Sequence, residues 1–578
     1  DLGRPLSLWP RRPRRGVVQE DKGGRLEPKL CMYFLEKKVL VVLASHLLMS
    51  DLIDREGRKM PADRSTPGPR FTPPKVKAPD IRDGSVHADH FIRRMREASV
   101  SDRLQLGDAR HASMPPALQN LTYVFDQPDL SAYAGMPVFM QFCYALGLAE
   151  WLEPLPIKRR CDAIYPPGKM GEVIVAGLAA GLERVSHVDD VKDDPGLCAA
   201  LGLDRLPDQA TISRFFSDAT GEAVGFVKQA NHRFMQSAVS FDKRQPRLIV
   251  DIDTRDLPVY GKQEGTKASP RKDGDAIYTF EAVTLRNGRD MLAGHLMEGA
   301  THPAPLFRGR FEAVLDQIAS QTDEAVFCAD AAWYADYVLR MIEAADKDRD
   351  VPCRCSFAIR AQVRGALKRK IAALPDDVWA RYDEHHEVAE VAHKFTQTRD
   401  EDGNKVRGSY PVRRYVVTRK RLKNTDGEQQ TLIDEPRYSY NAIVTNLDWK
   451  AGRVLRLYNQ RATVESILKE SSIGFNMDSL PSMSFAGNRL FCQLLVLAYN
   501  LVNLFRRLCL PDEARRQHAP GLRRRLLAVP GLVAKADGGS TMRCSPNGPH
   551  VSWLEELLEA LGRWLVPAGV PPAMARAG

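Results

Sequence analysis

Apolar residues recur at helical spacing between residues 121 and 240. The clearest stripes are Phe139, Cys143, Leu146, Leu148 and, further on, Val173, Ile174, Leu178, Leu182. Steps of three and four residues place such side chains on one face of a helix. The pattern therefore predicts a helical domain over 121–240.

The spacing changes to that of strands at Arg247. An antiparallel meander is predicted from three segments: 248–253, 277–285 and 291–296. A helix, a strand and a helix are predicted next, over 306–318, 325–329 and 331–342. The order βββαβα predicts a mixed α+β fold built on a ribonuclease H-like sheet.

Strand patterns return between residues 351 and 447, and helical spacing resumes at Val454. The predicted strands are 388–395, 413–418 and 438–444. We therefore divide the rest of the chain into a first ribonuclease H-like part, a β-rich insertion, a second ribonuclease H-like part and a basic helical tail: 241–345, 346–447, 448–510 and 511–578. Residues 1–120 are poor in core-forming side chains, and we expect a disordered arm or an artefact of the reading frame there.

Composition limits the class of protein and of partner. The chain has 578 residues, of which 44% are hydrophobic and 27% charged, as in ordinary folded proteins of two or more domains. Its net charge of +10 favours a polyanionic partner. The ten cysteines lack the paired spacing of a zinc site, which indicates reduced thiols in a cytoplasmic protein. The apolar run Val39–Met49 is shorter than the ~20 residues of a membrane span, so no membrane association is expected.

Three carboxylates stand where a pair of hard metal ions could be bound. Asp251 and Asp253 lie two residues apart and face the same side of one strand, while Asp330 follows the strand 325–329 at its carboxyl end. A helix cap explains Asp330 alone, and a strand-end cap explains Asp251 alone. Carboxylates on neighbouring strands together predict a phosphoryl-transfer site with two Mg²⁺ ions.

A further acid lies on the helix predicted after Val454. Tyr458, Arg461, Glu465 and Lys469 follow at steps of three, four and four residues and so share one helical stripe. A surface ion pair between Glu465 and Lys469 explains part of this pattern equally well.

Two segments have the composition of DNA contacts. Leu206–Phe216 predicts a short helix capped by Asp208, and its polar residues Thr211, Ser213 and Arg214 are candidates to enter a DNA groove. A helix hairpin that only packs on its neighbours is the alternative. The second segment is a basic run in the predicted insertion, with candidate phosphate contacts at Arg413, Arg414, Arg419 and Lys420. A solvated charge run on an edge strand is the alternative there.

Four segments resemble the DDE transposases of bacterial insertion sequences. They are Leu-Ile-Val-Asp-Ile-Asp-Thr at 248–254, Val-Tyr-Gly-Lys-Gln-Glu-Gly at 259–265, Ala-Asp at 329–330 and Tyr-Asn-Gln-Arg-Ala-Thr-Val-Glu at 458–465. The resemblance is to the cut-and-paste group, which has a β-rich insertion between the second Asp and the Glu. It extends from Tyr133 to Asn503.

The resemblance implies catalytic acids and metal ligands at Asp253, Asp330 and Glu465. Two Mg²⁺ ions are the implied cofactors, with Mn²⁺ as a substitute, and Asp251 remains the alternative for the first acid. Tyr458 and Arg461 are the implied phosphate contacts.

The chain departs from the family pattern after the Glu. The family places a lysine seven residues after it, where this sequence has Ser472. Lys469, one helical turn after Glu465, is the candidate replacement as a phosphate contact.

The predicted function is that of a transposase. It would bind the terminal inverted repeats of an insertion sequence and catalyse metal-dependent DNA cleavage and strand transfer. Expected partners are double-stranded DNA, both element ends and target, and a second copy in a homodimer at the nucleoid. There are two alternatives. A nuclease without strand transfer would not join a pre-cleaved end to a plasmid, and a non-catalytic DNA-binding derivative is separated from the enzyme by a test of divalent metal binding.

Overall fold

The computed structural model describes residues 124–158, 163–240, 243–269, 274–299, 301–348, 350–421, 438–536, 539–548 and 550–565. The arm expected over residues 1–120 lies outside the described residues.

The first described part of the chain is helical, as its apolar spacing predicts. A short strand β1 (Leu130–Ser131) precedes helices α1 (Met136–Ala145), α2 (Leu148–Leu152), α3 (Pro167–Ala180), α4 (Val188–Val191), α5 (Pro195–Leu201), α6 (Gln209–Ser217) and α7 (Gly221–Ser240). Asp208 caps α6 as predicted, because its carboxylate accepts the backbone N–H of Thr211 at 2.7 Å.

A mixed sheet follows, together with two helices. Its strands are β2 (Leu248–Pro258), β3 (Lys267–Ala268), β4 (Ala276–Leu285), β5 (Asp290–Met297), β6 (Glu324–Ala329) and β7 (Arg354–Ala361), and the helices are α8 (Phe307–Ile318) and α9 (Asp336–Ala345). β4 pairs antiparallel with β2 and β5, which confirms the predicted meander. β6 runs parallel to both β2 and β7. The spatial order is therefore β5-β4-β2-β6-β7.

The predicted β-rich region continues this same sheet beyond β7. Its elements are α10 (Gly365–Ala372), β8 (Ala380–Arg381), β9 (His386–His393), β10 (Gln397–Arg399), β11 (Lys405–Arg407), β12 (Arg413–Arg421) and β13 (Tyr438–Thr445). The order beyond β7 is β13-β12-β9-β8, while β10 and β11 form a separate hairpin. β12 is paired on both sides and is an interior strand.

The last part of the described chain is mainly helical. Its elements are α11 (Ala451–Asn459), α12 (Ala462–Phe475), α13 (Phe485–Cys509), α14 (Asp512–Arg515), α15 (Ala519–Leu522), β14 (Gly531–Ala536), β15 (Gly539–Cys544) and α16 (His550–Leu565). The α-helical hydrogen bonding is interrupted at Gln460 and Arg461, where the N–H of Arg461 donates to the carbonyl of Tyr458 at 2.9 Å, so the stripe predicted from Tyr458 to Lys469 is divided between α11 and α12. The expectation of one continuous helix there is wrong.

Helix α13 is the main core helix, and it packs against α3, α7 and β5. By length and composition it would also suit a membrane, but 83% of its most apolar window is buried inside the protein. Amide side chains on α13 bind the edge of β5: Gln493 donates to the carbonyl of Gly294, and Asn500 binds both the N–H and the carbonyl of Met291. Within the described residues β5 pairs with β4 alone, and these bonds satisfy backbone groups that β5 would otherwise leave open.

Candidate active site

Strand β2 carries two acids that face the same side of the sheet but have different surroundings. Asp251 is fully buried and forms a bidentate ion pair with Arg286, at 2.5 and 2.8 Å. Arg286 also donates to the carbonyl of Leu457 at the end of α11, at 2.8 Å. Asp251 is thus occupied in joining β2 to α11. Asp253, one residue pair further along β2, is the better candidate for chemistry.

Asp253 lies at the carboxyl end of the parallel pair β2 and β6, and Asp330 follows β6 directly. Asp330 caps the short turn Ala331–Trp333 and accepts the N–H of Ala332 at 2.8 Å. The cap interpretation of Asp330 is therefore correct, yet it leaves the second carboxylate oxygen without a hydrogen bond from the described residues. Asp253 is similar: its Oδ1 accepts the N–H of Thr254 at 2.9 Å, and its Oδ2 has no such bond within the same residues.

The junction between α11 and α12 closes over this pair. Arg461, buried at the N-cap of α12, lies 2.9 Å from Oδ1 of Asp253 and donates to the carbonyl of Ile252 at 2.9 Å. Tyr458, at the end of α11, donates to the carbonyl of Ala329 at 3.3 Å. The loop that interrupts the predicted helix therefore places Tyr458 and Arg461 at the ends of β2 and β6.

Electrostatics indicate that Arg461 does not fully compensate the negative charge of the acid pair. Burial raises the pKa of the Asp253 carboxyl; Arg461 and the N–H of Thr254 oppose that rise, and the neighbouring Asp330 adds to it. A cation between the two carboxylates would relieve both the desolvation and the repulsion. Mg²⁺ typically binds one or two protein carboxylates and keeps other positions for water and phosphate oxygens. The donor set at Asp253 and Asp330 fits such an ion.

Glu465 does not lie within this cluster of buried and half-buried side chains. It lies in the first turn of α12, one turn after Arg461, and its side chain is exposed. No group of three or more acids, histidines or cysteines comes close enough to hold a metal in the part of the chain that the structure describes. The structure thus brings Asp253 and Asp330 together with Arg461 and Tyr458, and leaves Glu465 beside them.

Ser472, at the position of the family's lysine, and Lys469, its candidate replacement, have different environments. Lys469 is exposed on α12, one turn after Glu465. Ser472 is buried, and its hydroxyl binds the carbonyl of Leu468 at 3.2 Å and the carboxylate of Asp478 at 3.3 Å. Of these positions only Lys469 presents its side chain to solvent, where a phosphate could reach it.

The basic run on β12 is not a free cationic surface. Arg413 is buried and binds Asp336 at 2.6 Å and Glu343 at 2.7 Å. Arg419 is also buried; it binds Glu387 and Asp376, each at 2.6 Å. These guanidinium groups are neutralised by acids distant in sequence.

Two expectations for this run are therefore corrected. Arg414 is half-buried and binds Glu390 at 2.6 Å, so all three arginines are paired with acids and none is the free cation that the sequence suggested for DNA phosphates. The edge-strand interpretation is wrong too, because β12 is interior. Lys420 is exposed, and its predicted phosphate contact stays a prediction.

The outer face of α6 has the composition that the sequence suggested. Ile212, Phe215 and Phe216 are buried, while Arg214 is exposed and Thr211 and Ser213 are half-buried. Arg214 donates to the hydroxyl of Thr211 at 3.1 Å. The helix packs on α13 through its apolar side, and DNA binding by its polar side stays a prediction.

Sequence reasoning missed Arg286 and His302. Arg286, directly after β4, neutralises Asp251 on β2, and only the register between these two strands brings the residues together. His302 lies in a loop after β5, in a groove that also exposes Asp330. No motif marks either residue, and a lone histidine or arginine carries no signal in one sequence.

Comparisons with known proteins identify the class of this chain. The family model "Transposase DDE domain group 1" matches residues 117–565. A solved structure described as "Cryo-EM structure of piggyBac transposase synaptic complex with hairpin DNA (SNHP)" is similar with a TM-score of 0.36 and 10% sequence identity, over 76% of this chain and 83% of that chain. No curated protein matches the chain.

Proposed function

Because the chain belongs to the family of DDE transposases, we propose that it cuts and joins DNA at the acid pair Asp253 and Asp330. The observation that carries this proposal is the convergence of both carboxylates, Arg461 and Tyr458 at the carboxyl ends of β2 and β6. The strand order β5-β4-β2-β6-β7 supports a ribonuclease H-like catalytic fold, extended at β7 by the β-rich insertion.

We propose that the residues at this site divide the work as follows. Asp253 and Asp330, with Glu465 joining them when DNA is bound, would hold two Mg²⁺ ions, for which Mn²⁺ would substitute. The ions would activate the attacking oxygen and stabilise the leaving oxygen. Arg461 orients Asp253 through their ion pair. Tyr458 and Arg461 are within reach of a phosphate that sits on the acid pair.

Other parts of the proposal concern DNA outside the acid pair. Lys469 is the proposed replacement for the family lysine, since an exposed ammonium on the Glu465 side of α12 can bind a phosphate. Thr211, Ser213 and Arg214 on α6, together with Lys420, are proposed DNA contacts away from the site. The substrates are the terminal inverted repeats of a bacterial insertion sequence and its target DNA, bound by a homodimer at the nucleoid.

A DNA-joining assay tests this function. The substrate is the DNA that flanks the reading frame, labelled at the 5′ end of the strand whose 3′-hydroxyl is to be joined, and it is incubated with a plasmid, the purified protein and Mg²⁺. Transfer of the label into the plasmid is the expected result, and it should disappear with EDTA. Cleavage without transfer would instead identify a nuclease.

The non-catalytic alternative is favoured by one observation, the exposed position of Glu465 outside the acid pair. A protein that binds the flanking DNA but neither cleaves it nor responds to Mg²⁺ or Mn²⁺ would establish that alternative.

A further inference from the structure

A trench leads from Asp330 to the β10–β11 hairpin. It consists of two adjoining cavities of about 380 and 490 Å³, which share His302, Ala331, Ala332 and Gln362 as lining residues. Asp330 lines the smaller cavity, and the hairpin lines the larger one. The trench therefore begins at Asp330, one member of the acid pair, and ends in the insertion.

The far end of the trench concentrates positive charge. Arg364, Arg399 and Lys405 line it. Arg399 and Lys405 are directly opposite each other in the hairpin, an arrangement that destabilises a strand pair unless an anion lies between the cations.

The acids closest in sequence do not neutralise these cations. Glu401 binds Arg308 at 2.7 Å. The carboxylate of Asp400 accepts the backbone N–H groups of Asp402 and Asn404 in the hairpin turn. None of Asp400, Glu401 and Asp402 lines the trench, so Arg399 and Lys405 retain charge for an external anion.

The start of α10 adds hydrogen-bond donors to the same wall. Gly365, Ala366 and Leu367 line the trench, and the N-cap Arg364 makes no side-chain cap to their backbone N–H groups. First-turn N–H groups of a helix favour phosphate. These N–H groups add to the attraction for phosphate, which comes mainly from Arg399 and Lys405.

His302 stands between the acids and the cations. Its Nδ1 accepts the N–H of Ala304 at 3.3 Å, so a neutral ring carries its proton on Nε2 and donates from there. Burial and then Arg399 lower the pKa of His302, while Asp330 opposes them. The lowered pKa favours the neutral ring, which can donate from Nε2 to a phosphate.

We propose that this trench binds the sugar-phosphate backbone of the DNA strand that passes through the acid pair. His302 donates from Nε2 to the first phosphate beyond Asp330, and Arg399 and Lys405 hold a later phosphate. The inference rests on the proposed function, since it names the path of the DNA from the same site.

Binding without metal tests the trench independently of catalysis. The probe is a fluorescein-labelled duplex of the flanking DNA, titrated with full-length protein in EDTA at several salt concentrations. The Arg399→Gln/Lys405→Gln variant should bind about tenfold more weakly, and its log-log salt slope should be smaller by about 1, because the two cations together hold one phosphate. The matched control is Lys368→Gln/Arg369→Gln, which removes two exposed cations of α10 that do not line the trench.

Equal affinity and slope for the trench variant and wild type would overturn the proposal, as would an equal loss in the control variant.

The role of His302 is tested by the rate at which its variants cleave DNA at saturating DNA. His302→Ala should be about tenfold slower, whereas His302→Gln, which keeps an N–H donor, should recover most of the rate. If wild type neither cleaves nor joins DNA, the proposed function fails, and the binding titration still decides on the trench.

Discussion

At the scale of single residues, neighbours on one strand acquire different roles from their surroundings. Asp251 and Asp253 share a face of β2, and the sequence alone left both as candidates for the first acid. The fully buried Asp251 is neutralised by Arg286, whereas Asp253 is partly open and repelled by Asp330. Asp251 is thus a structural residue, and Asp253 is the proposed catalytic one.

Stability measurements should separate the two aspartates. Asp251→Asn leaves the Arg286 guanidinium without its counter-charge, and removing one partner of a buried ion pair typically costs about 3–5 kcal/mol. Asp253→Asn should cost clearly less, since it also removes repulsion with Asp330. Urea unfolding of both variants and wild type gives the free energies of unfolding. Equal losses would show that Asp253 is as structural as Asp251.

At the scale of secondary-structure elements, α13 shows how polar groups on an apolar helix fix an edge strand. Its amide side chains serve the backbone of β5, where no further strand pairs in the described part of the sheet. Asn500→Leu should therefore leave two buried backbone groups of Met291 unsatisfied and lower the free energy of unfolding by about 2–4 kcal/mol.

The matched control for α13 is Gln236→Leu on α7. Gln236 also donates to a backbone carbonyl, that of Asp316 at 3.2 Å, but it does so at an exposed position where water can replace it. Its cost in chemical denaturation should be below ~1 kcal/mol. A similar cost for both variants would refute the role assigned to Asn500.

The elements also show which features one sequence can predict. Local periodicity predicted β2, β4, β5, β6, α8 and the cap of α6, because alternation and capping are short-range signals. It missed β7, an almost wholly buried strand without strong alternation, and the break at Gln460 and Arg461. Strand β7 depends on its pairing with β6, and the break depends on the contacts of Tyr458 and Arg461 with the ends of β2 and β6. No local sequence pattern records such contacts.

The prediction that the arginines of β12 contact DNA did not foresee their ion pairs, for the same reason. Their spacing predicted a cationic face, but their acidic partners lie between 24 and 77 residues away in sequence. Asp253 and Asp330 were predicted to meet because the carboxyl ends of adjacent parallel strands share one edge of a sheet. The outlying position of Glu465 was not predicted, since it follows from the loop between α11 and α12.

At the scale of the whole molecule, divalent metal should stabilise the fold through the acid pair. Binding to the folded chain alone raises its stability, by about 2.7 kcal/mol at a metal concentration of 100 times Kd. Mg²⁺ or Mn²⁺ should therefore raise the Tm of wild type, and EDTA should reverse the shift. Asp253→Asn should show little shift. An equal shift in that variant would place the metal elsewhere.

The rate of cleavage of the flanking DNA tests the central claim most directly. Asp253→Asn, Asp330→Asn and Glu465→Gln are compared with wild type in Mg²⁺, and DNA affinity is measured separately in EDTA. Each variant should lose cleavage by at least a hundredfold and keep its DNA affinity within about threefold, because the acids supply metal ligands rather than DNA contacts. Wild-type cleavage rates in the Asp253 and Asp330 variants would contradict the account.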